Sequence, residues 1–573
     1  MDHCAGTMAP MFNRSRSEWL RVFSAKSTST VVVWVLALNL AACAARGPQV
    51  DSGALRCASQ GRSLPANALG LPSAGAVVSS ATWVEALPQR VIVAGETAGA
   101  TPAHCRLVGY IEPVDATAPK INFQLNLPQP WNGKAMQFGG SGFNGLLVSG
   151  LGAAPMAPPD APLPISRGYA TFGTDGGHQR VVGVEPQAFA ANDEALENFA
   201  YAAYKKTRDA AVALIHAHYG ARPQRIYYVG ESEGGREGLM MAQRFPADYD
   251  AIYSAAPWVS FVGQHLAGTR SGLMQRGAGW LNPNKVALLD KAVLQACDGL
   301  DGLNDGIVSH YLGCAAAFDV GPLRCKAGAD DGDHCLSDAQ IAAVRSLHSA
   351  LKIDFALANG ITEYPRWGLG GEDNPHQWQR HISGVAPAGA LEARNWLYGS
   401  GVVRHFVVRD AAFDPASFRP NLFRARLQRL SSMLDATNPD LSAFHAWGGK
   451  LILHEFSSDH TRSPYAGFAY FQAVQARMTA AVADQFVRLY VTPGVNHAGY
   501  GPHVPAGVDV VALLEQWVEQ RRPPADTIVQ SLQSYVPPFA LLASKPMCRY
   551  PAYARYNGSG DPQRAGSYTC TTP

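Results

Sequence analysis

At positions 230–234 a serine stands between two glycines, Gly230-Glu231-Ser232-Glu233-Gly234, at the junction of two very different stretches. Before it, Ile226–Val229 is a short apolar run that predicts a buried strand; after it, residues 235–245 carry Leu239, Met240 and Phe245 at helical spacing. A G-x-S-x-G segment in that setting predicts a sharp strand-to-helix turn with the serine at its tip, and glycines stand where side chains would collide. The helix N-terminus then faces any negative charge that develops beside the serine hydroxyl. This arrangement predicts an α/β architecture, an α/β-hydrolase fold, with Ser232 as candidate nucleophile. The plainer alternative is a glycine-rich turn whose serine merely caps the helix.

A serine of this kind needs a base and an acid, and in this fold they follow it in the order Ser, Asp, His at the ends of later strands. Leu451–Leu453 and Phe486–Val491 are strand candidates, and Asp459 and His497 lie just beyond them. His497 is the candidate general base, and Asp459 the group that holds its working tautomer. Asp440, Asp484 and His454 compete less well: the first precedes its strand, the second falls in a helix, and the third sits too close to the strand.

A glycine loop, Gly140-Ser141-Gly142-Phe143-Asn144-Gly145, follows the strand candidate Ala135–Phe138. Its G-x-G-x-x-G pattern invites a dinucleotide site, but that fingerprint must open a helix, and this one runs into Gly150, Gly152 and a proline cluster. No organic cofactor is expected. In a hydrolase the same loop can supply oxyanion donors, so Gly139, Gly140 and the backbone N–H of Glu233 are the candidates.

Asp298, Asp301 and Asp305 lie within eight residues, separated by glycines that let the chain curl. Such a loop suits one hard cation, and calcium in a structural role is expected.

Elements alternate between strand and helix before residue 258 and again after 445, whereas 258–445 is rich in Gly, Asp, His and Trp with no such alternation. A core in two parts, 47–257 and 446–573, interrupted by an inserted domain over 258–445, explains this order. With 47% hydrophobic and 16% charged residues the chain can build a large core, and its net charge of +2 without a basic block gives no reason to expect a nucleic-acid partner. Residues 1–43 have basic residues ahead of an apolar run, Val31–Ala42, too short to span a bilayer and ending Leu40-Ala41-Ala42-Cys43. This predicts an export signal, with a possible lipid anchor at Cys43 and a secreted, periplasmic or outer-membrane location; no later stretch looks transmembrane. Removing Cys4 and Cys43 leaves eight cysteines, an even number that suggests disulfides in an exported chain, with sequential pairing the simplest of many connectivities.

Taken together, the landmarks Trp131-Asn132-Gly133-Lys134, Thr174-Asp175-Gly176-Gly177-His178, the elbow through Arg236, Gln243-Arg244-Phe245-Pro246, Asp440-Leu441-Ser442-Ala443-Phe444 and Gly448-Gly449-Lys450-Leu451-Ile452 resemble those of the tannase and feruloyl esterase family over nearly the whole mature chain. Within it, the mono(2-hydroxyethyl) terephthalate hydrolase branch is the nearest expected likeness. The resemblance implies a triad of Ser232, Asp459 and His497, and a calcium site of Asp298, Asp301 and Asp305 with the carbonyls of Leu303 and Ile307. It implies a lid built from the insertion, and disulfides Cys57–Cys105, Cys297–Cys314, Cys325–Cys335 and Cys548–Cys570. Family members carry a cysteine before the nucleophile and another after the histidine. Glu231 and Ala498 occupy those positions here, so a chain lacking the disulfide next to the catalytic serine and histidine is expected. Glu455-Phe456 also replaces a usual His-Gly.

The expected activity is hydrolysis of small aromatic esters, of terephthaloyl, feruloyl or galloyl type, through an acyl-enzyme. Trp396, Arg404 and Arg409 are candidates for lining the acyl pocket, and an arginine there would favour a second carboxylate. The alternatives are a peptidase on the same fold or a binding protein that has lost activity.

Overall fold

A computed structural model describes residues 52–61, 63–91, 97–374, 377–386 and 392–573. The export segment, residues 1–43, and Cys43 lie outside the described residues.

The core is one twelve-stranded sheet. In chain order its strands are β1 (Ser63–Leu64), β2 (Ala76–Val84), β3 (His104–Ile111), β4 (Ile121–Pro128), β5 (Lys134–Phe138) and β6 (Ala170–Thr174), then β7 (Arg225–Glu231), β8 (Ala251–Ala255), β9 (Lys450–Phe456), β10 (Val487–Thr492), β11 (Thr527–Gln533) and β12 (Leu541–Arg549). They lie side by side as β1-β2-β3-β4-β6-β5-β7-β8-β9-β10-β12-β11. Antiparallel pairs form both flanks, while β6, β5, β7, β8, β9 and β10 run parallel in the middle.

The central strands are apolar without alternation because helices cover both of their faces. Every residue of β8 and β10 is buried. One face packs Leu125, Phe172, Leu214, Leu451 and Leu489 against helices, and the other packs Met136, Val229, Ile452 and Leu514.

The helices that matter for the site are, in order, α1 (Ser52–Ala58), α2 (Ala203–Tyr219), α3 (Glu233–Arg244), α4 (Phe261–Met274), α5 (Pro283–Cys297), α6 (Arg394–Val402), α7 (Arg424–Leu434), α8 (Pro464–Met478) and α9 (Val510–Glu519). Their ends carry local signals: Asn282 and Ser463 cap α5 and α8 with proline in the first turn, and Gly220 closes α2 in the left-handed conformation. The helical stretch leading to Tyr219 is broken: Asp193–Glu197 is α-helical, Asn198–Ala202 is a π turn, and α2 begins only at Ala203. Apolar spacing does not reveal such a one-residue slip.

Between β8 and β9 the chain leaves the sheet and builds α4 to α7 with many short turns. This long insertion packs its own apolar clusters, one around Phe261, Phe406 and Leu427 and another around Leu289, Trp367 and Trp378. Core and insertion together make an α/β-hydrolase fold with a lid-like insertion. Among the described residues four disulfides are present: Cys57–Cys105, Cys297–Cys314, Cys325–Cys335 and Cys548–Cys570. No helix among the described residues is long and apolar enough to cross a membrane.

Candidate active site

Ser232 sits between the end of β7 and the start of α3, with φ 63° and ψ −122°. A non-glycine residue held there carries strain of about 1–3 kcal/mol, which the surrounding packing must offset. The elbow is tight enough to require its glycines: a Cβ on Gly230 would lie 2.3 Å from the Gly234 carbonyl oxygen, and one on Gly234 would lie 2.7 Å from the Gly140 carbonyl oxygen.

Asp459 follows β9 and His497 follows β10, so all three residues stand at the carboxyl ends of parallel strands. Ser232 Oγ lies 2.7 Å from His497 Nε2, and His497 Nδ1 lies 2.6 Å from Asp459 Oδ2. Asp459 is fully buried. Its Oδ1 accepts backbone N–H groups of Thr461 at 2.8 Å and Arg462 at 3.3 Å. Burial alone would raise its pKa. The charge and hydrogen bond of His497, with the Arg462 guanidinium, outweigh burial and hold the carboxyl below its ordinary value. The competitors are engaged elsewhere. His454 is buried between the Tyr253 hydroxyl at 2.7 Å and Thr492 Oγ1 at 2.6 Å, Asp440 pairs with Arg477, and Asp484 pairs with Arg488 and Arg549.

Around the three residues, Glu231 and Glu455 stand out in the sequence as departures from the family, whereas Arg462 gives no clear signal there. Arg462 is fully buried and pairs with Glu455, donates to the Ser463 carbonyl at 3.0 Å, and brings Nε within 3.4 Å of Asp459. Burial pushes the Glu455 carboxyl up to about 7 despite that arginine. Burial also pushes Glu231, beside the nucleophile, up to about 7 against the pull of His497. Arg236 is buried as well: its guanidinium binds Glu233 and donates to the carbonyls of Phe199, Ala200 and Leu434, tying the elbow helix to the end of α7. Its position three residues beyond Glu233, on one helix face, was the signal available.

Side chains of the insertion clasp the loop that carries Asp459. Gln264 of α4 donates to the Thr461 carbonyl at 2.7 Å and accepts from Tyr364, whose hydroxyl oxygen accepts the Ser463 N–H at 2.9 Å. Asn395 of α6 donates to the His460 carbonyl at 3.2 Å, and Gln377 donates to that of Ser458.

Two groups of expected site residues are corrected. The N–H of Gly139 is spent on the Val229 carbonyl at 2.9 Å, and that of Gly140 on the Glu237 carboxylate at 3.0 Å, so neither is free to meet an oxyanion. The Glu233 N–H, at the start of α3, has no such partner among the described residues. Trp396 is buried against Gly272 of α4 with the Arg276 guanidinium over its ring. Arg404 and His405 both bind Glu185, and Arg409 pairs with Asp193 at the surface. Their charge is therefore taken by acids more than two hundred residues away in sequence.

Two other arginines do stand near the triad. The buried imidazole of His381 feels His497, Asp459, Arg394 and Arg380, and Arg380 in turn feels Arg394 and Tyr398. Both guanidiniums are half-buried, and neither makes a hydrogen bond or ion pair among the described residues. Burial and mutual repulsion lower the pKa of Arg380. Trp258, whose backbone N–H reaches the Ser232 carbonyl at 3.4 Å, and Tyr398 meet the ring of Phe143 edge-on at centroid distances of 5.8 Å and 5.3 Å.

In the acidic loop, Asp298 accepts the N–H groups of Asp305 and Gly306, Asp301 that of Leu303, and Asp305 that of Ile307. Lys545 pairs with Asp305. No group of three or more His, Cys, Asp or Glu side chains among the described residues is gathered as metal ligands. Asp301, however, is fully buried, and beyond the Leu303 N–H its carboxyl has only the Ser309 hydroxyl beside it. A buried carboxylate so sparsely met fits a cation better than it fits an empty interior.

The family model for tannase and feruloyl esterase matches residues 105–571. The chain belongs to the tannase and feruloyl esterase family. An uncharacterized esterase of Agrobacterium fabrum is 35% identical across 95% of this chain and 98% of its own length. The mono(2-hydroxyethyl) terephthalate hydrolase of Piscinibacter sakaiensis is 32% identical across 88% of this chain and 89% of its own. The crystal structure of feruloyl esterase B from Aspergillus oryzae has the same fold, with a TM-score of 0.74 at 23% identity over 91% of this chain and 100% of that one. The protein is thus a carboxylic ester hydrolase.

The expected likeness needs correcting on two points. The terephthalate hydrolase does not stand nearest, because the Agrobacterium esterase is more similar. Nor is the part of the core that carries the serine without a disulfide: Cys57–Cys105 ties α1 to β3 within it. That crosslink is one of the four pairs the resemblance implies.

Proposed function

We propose that this tannase-family esterase hydrolyses esters of aromatic carboxylic acids by way of an acyl-enzyme on Ser232. The unbroken chain of hydrogen bonds from Ser232 through His497 to Asp459, at the tip of a strained elbow, is the observation that carries this. Ser232 Oγ attacks the ester carbonyl as His497 Nε2 takes its proton, with Asp459 holding Nδ1–H in place. The oxyanion takes the Glu233 N–H. His497 passes the proton to the departing alcohol, then activates water to release the acid.

The aromatic wall of Trp258, Phe143 and Tyr398 supports a flat acyl group. The unpaired Arg380 and Arg394 support one that bears a second, ionised carboxylate, as in a phthalate-type half-ester. A panel of esters tests this: the monoester with a free carboxylate is expected to be preferred over its neutral methyl ester. Arg394→Gln should lower kcat/KM for the former by about 10–30-fold, the worth of one charge-assisted hydrogen bond, and spare the latter. Equal losses on both esters would overturn the assignment, and turnover of peptides but not aryl esters would overturn the reaction class.

A structural calcium ion is also proposed, held by Asp298, Asp301 and Asp305 with the carbonyls of Leu303 and Ile307. The fully buried Asp301 carboxyl supports it, and the adjacent Cys297–Cys314 disulfide restrains the loop. Asp301→Ala is expected to lower Tm by several degrees and to abolish calcium in elemental analysis, with kcat unchanged in the protein that stays folded. An unchanged Tm and no calcium in the wild type would refute it. Export, with a possible lipid anchor at Cys43, is supported by residues 1–43 and by four disulfides, which an oxidising compartment favours.

A further inference from the structure

Three donors converge on one buried carboxylate that the proposed chemistry does not use. Glu237 lies on α3, little more than one turn beyond Ser232, and is fully buried. Its Oε2 accepts the Gly140 N–H at 3.0 Å and the Tyr228 hydroxyl at 2.8 Å, and its Oε1 accepts from Asn144 Nδ2 at 2.8 Å. Asn144 sits at φ 55°, and its Oδ1 accepts the Ser141 N–H at 2.8 Å, so the same contact reaches a second backbone group of the loop. From the other side, the Gly140 carbonyl accepts the Gly234 N–H at 3.1 Å. The glycine loop is therefore fastened through both backbone groups of Gly140 to the helix that starts at the nucleophile.

An ionised carboxylate is acceptor-only, and so it can meet three donors at once. A glutamine there would have to turn its amide NH₂ toward one of them, leaving two donors face to face. Gly234 follows Glu233, so the same clamp fixes the peptide beside the Glu233 N–H.

We propose that Glu237 is a positioning residue that clamps the 139–145 loop against the elbow and so holds Gly234, and with it the adjacent Glu233 N–H, in place for the oxyanion. This rests on Ser232 being the nucleophile. The clamp touches no reacting atom, so its loss should appear in the transition state and not in substrate binding.

The test uses the full-length protein, a soluble aryl ester, and an arylboronic acid as a mimic of the tetrahedral adduct. Glu237→Gln is expected to lower kcat by about 30–100-fold with KM within about threefold, and to weaken boronate inhibition by a similar factor. Tyr228→Phe, which removes one donor to the same oxygen, should lower both by about fivefold. If Glu237→Gln folds and keeps kcat and boronate affinity within threefold of wild type while Tm falls, Glu237 serves stability alone and the proposal is overturned. If that variant does not fold, Tyr228→Phe decides, and wild-type values for kcat and boronate would overturn it. Failure of the nucleophile assignment looks different: the wild type would ignore the boronate, and Ser232→Ala would keep its turnover.

Discussion

Ser232→Ala is expected to lose ester hydrolysis by a factor of about 10⁴ or more while melting close to the wild-type temperature. The side chain removed is small, and its hydroxyl is bonded to His497, which stays held by Asp459 on its other nitrogen. The backbone strain at φ 63° is the same for alanine as for serine, so the fold has little reason to respond. The chemistry has every reason to, because no other hydroxyl is bonded to that imidazole among the described residues. Steady-state hydrolysis of an aryl ester beside a thermal melt checks this. Residual turnover within a hundredfold of wild type would remove Ser232 from the mechanism.

Arg462→Leu is expected to cost about 3–5 kcal/mol of stability and most of the activity, because it strands two buried acids at once. Glu455 would lose its ion-pair partner, with Oε1 already unpartnered, and Asp459 would keep only His497 to balance its charge. Lysine should not rescue, since the guanidinium uses separate nitrogens toward Glu455, the Ser463 carbonyl and Asp459. The pH dependence has a definite sign. The folded pKa of Asp459 is depressed, so its contribution is present above the unfolded value and lost as pH falls through the folded one. Glu455, raised to about 7, works in the opposite sense and destabilises the fold as it ionises with rising pH. Arg462 offsets that ionisation, so its removal should cost more at pH 8 than at pH 5, where Glu455 is protonated. Urea unfolding at the two pH values measures the difference, and equal deficits would refute it.

Much of the candidate site was legible before any coordinates because Ser232, Asp459 and His497 each stand just past an apolar run that could only be a central strand. The sheet's middle was legible for the same reason. The donors and cations around the triad were not, since their availability depends on partners that spacing cannot reveal. Gly139 and Gly140 have the right residue type in the right place, yet Val229 and Glu237 take their N–H groups. Arg404 and Arg409 face acids at 185 and 193 that sequence order puts far away, whereas Arg380 and Arg394 attract notice only once they prove to be unpaired. The insertion was visible as a break in alternation, but its short turns leave no periodicity from which to derive its packing.

The clasp of Gln264, Tyr364, Gln377 and Asn395 on the Asp459 loop bears on how such enzymes can be re-engineered. A segment that only roofed the pocket could be exchanged between relatives as a cassette to change specificity. Here the exchanged piece would also carry the struts of the catalytic acid, so a chimera that replaced it without matching those four side chains would inherit a new pocket over a slackened triad. Grafts cut to leave these positions native are the ones that should keep their turnover.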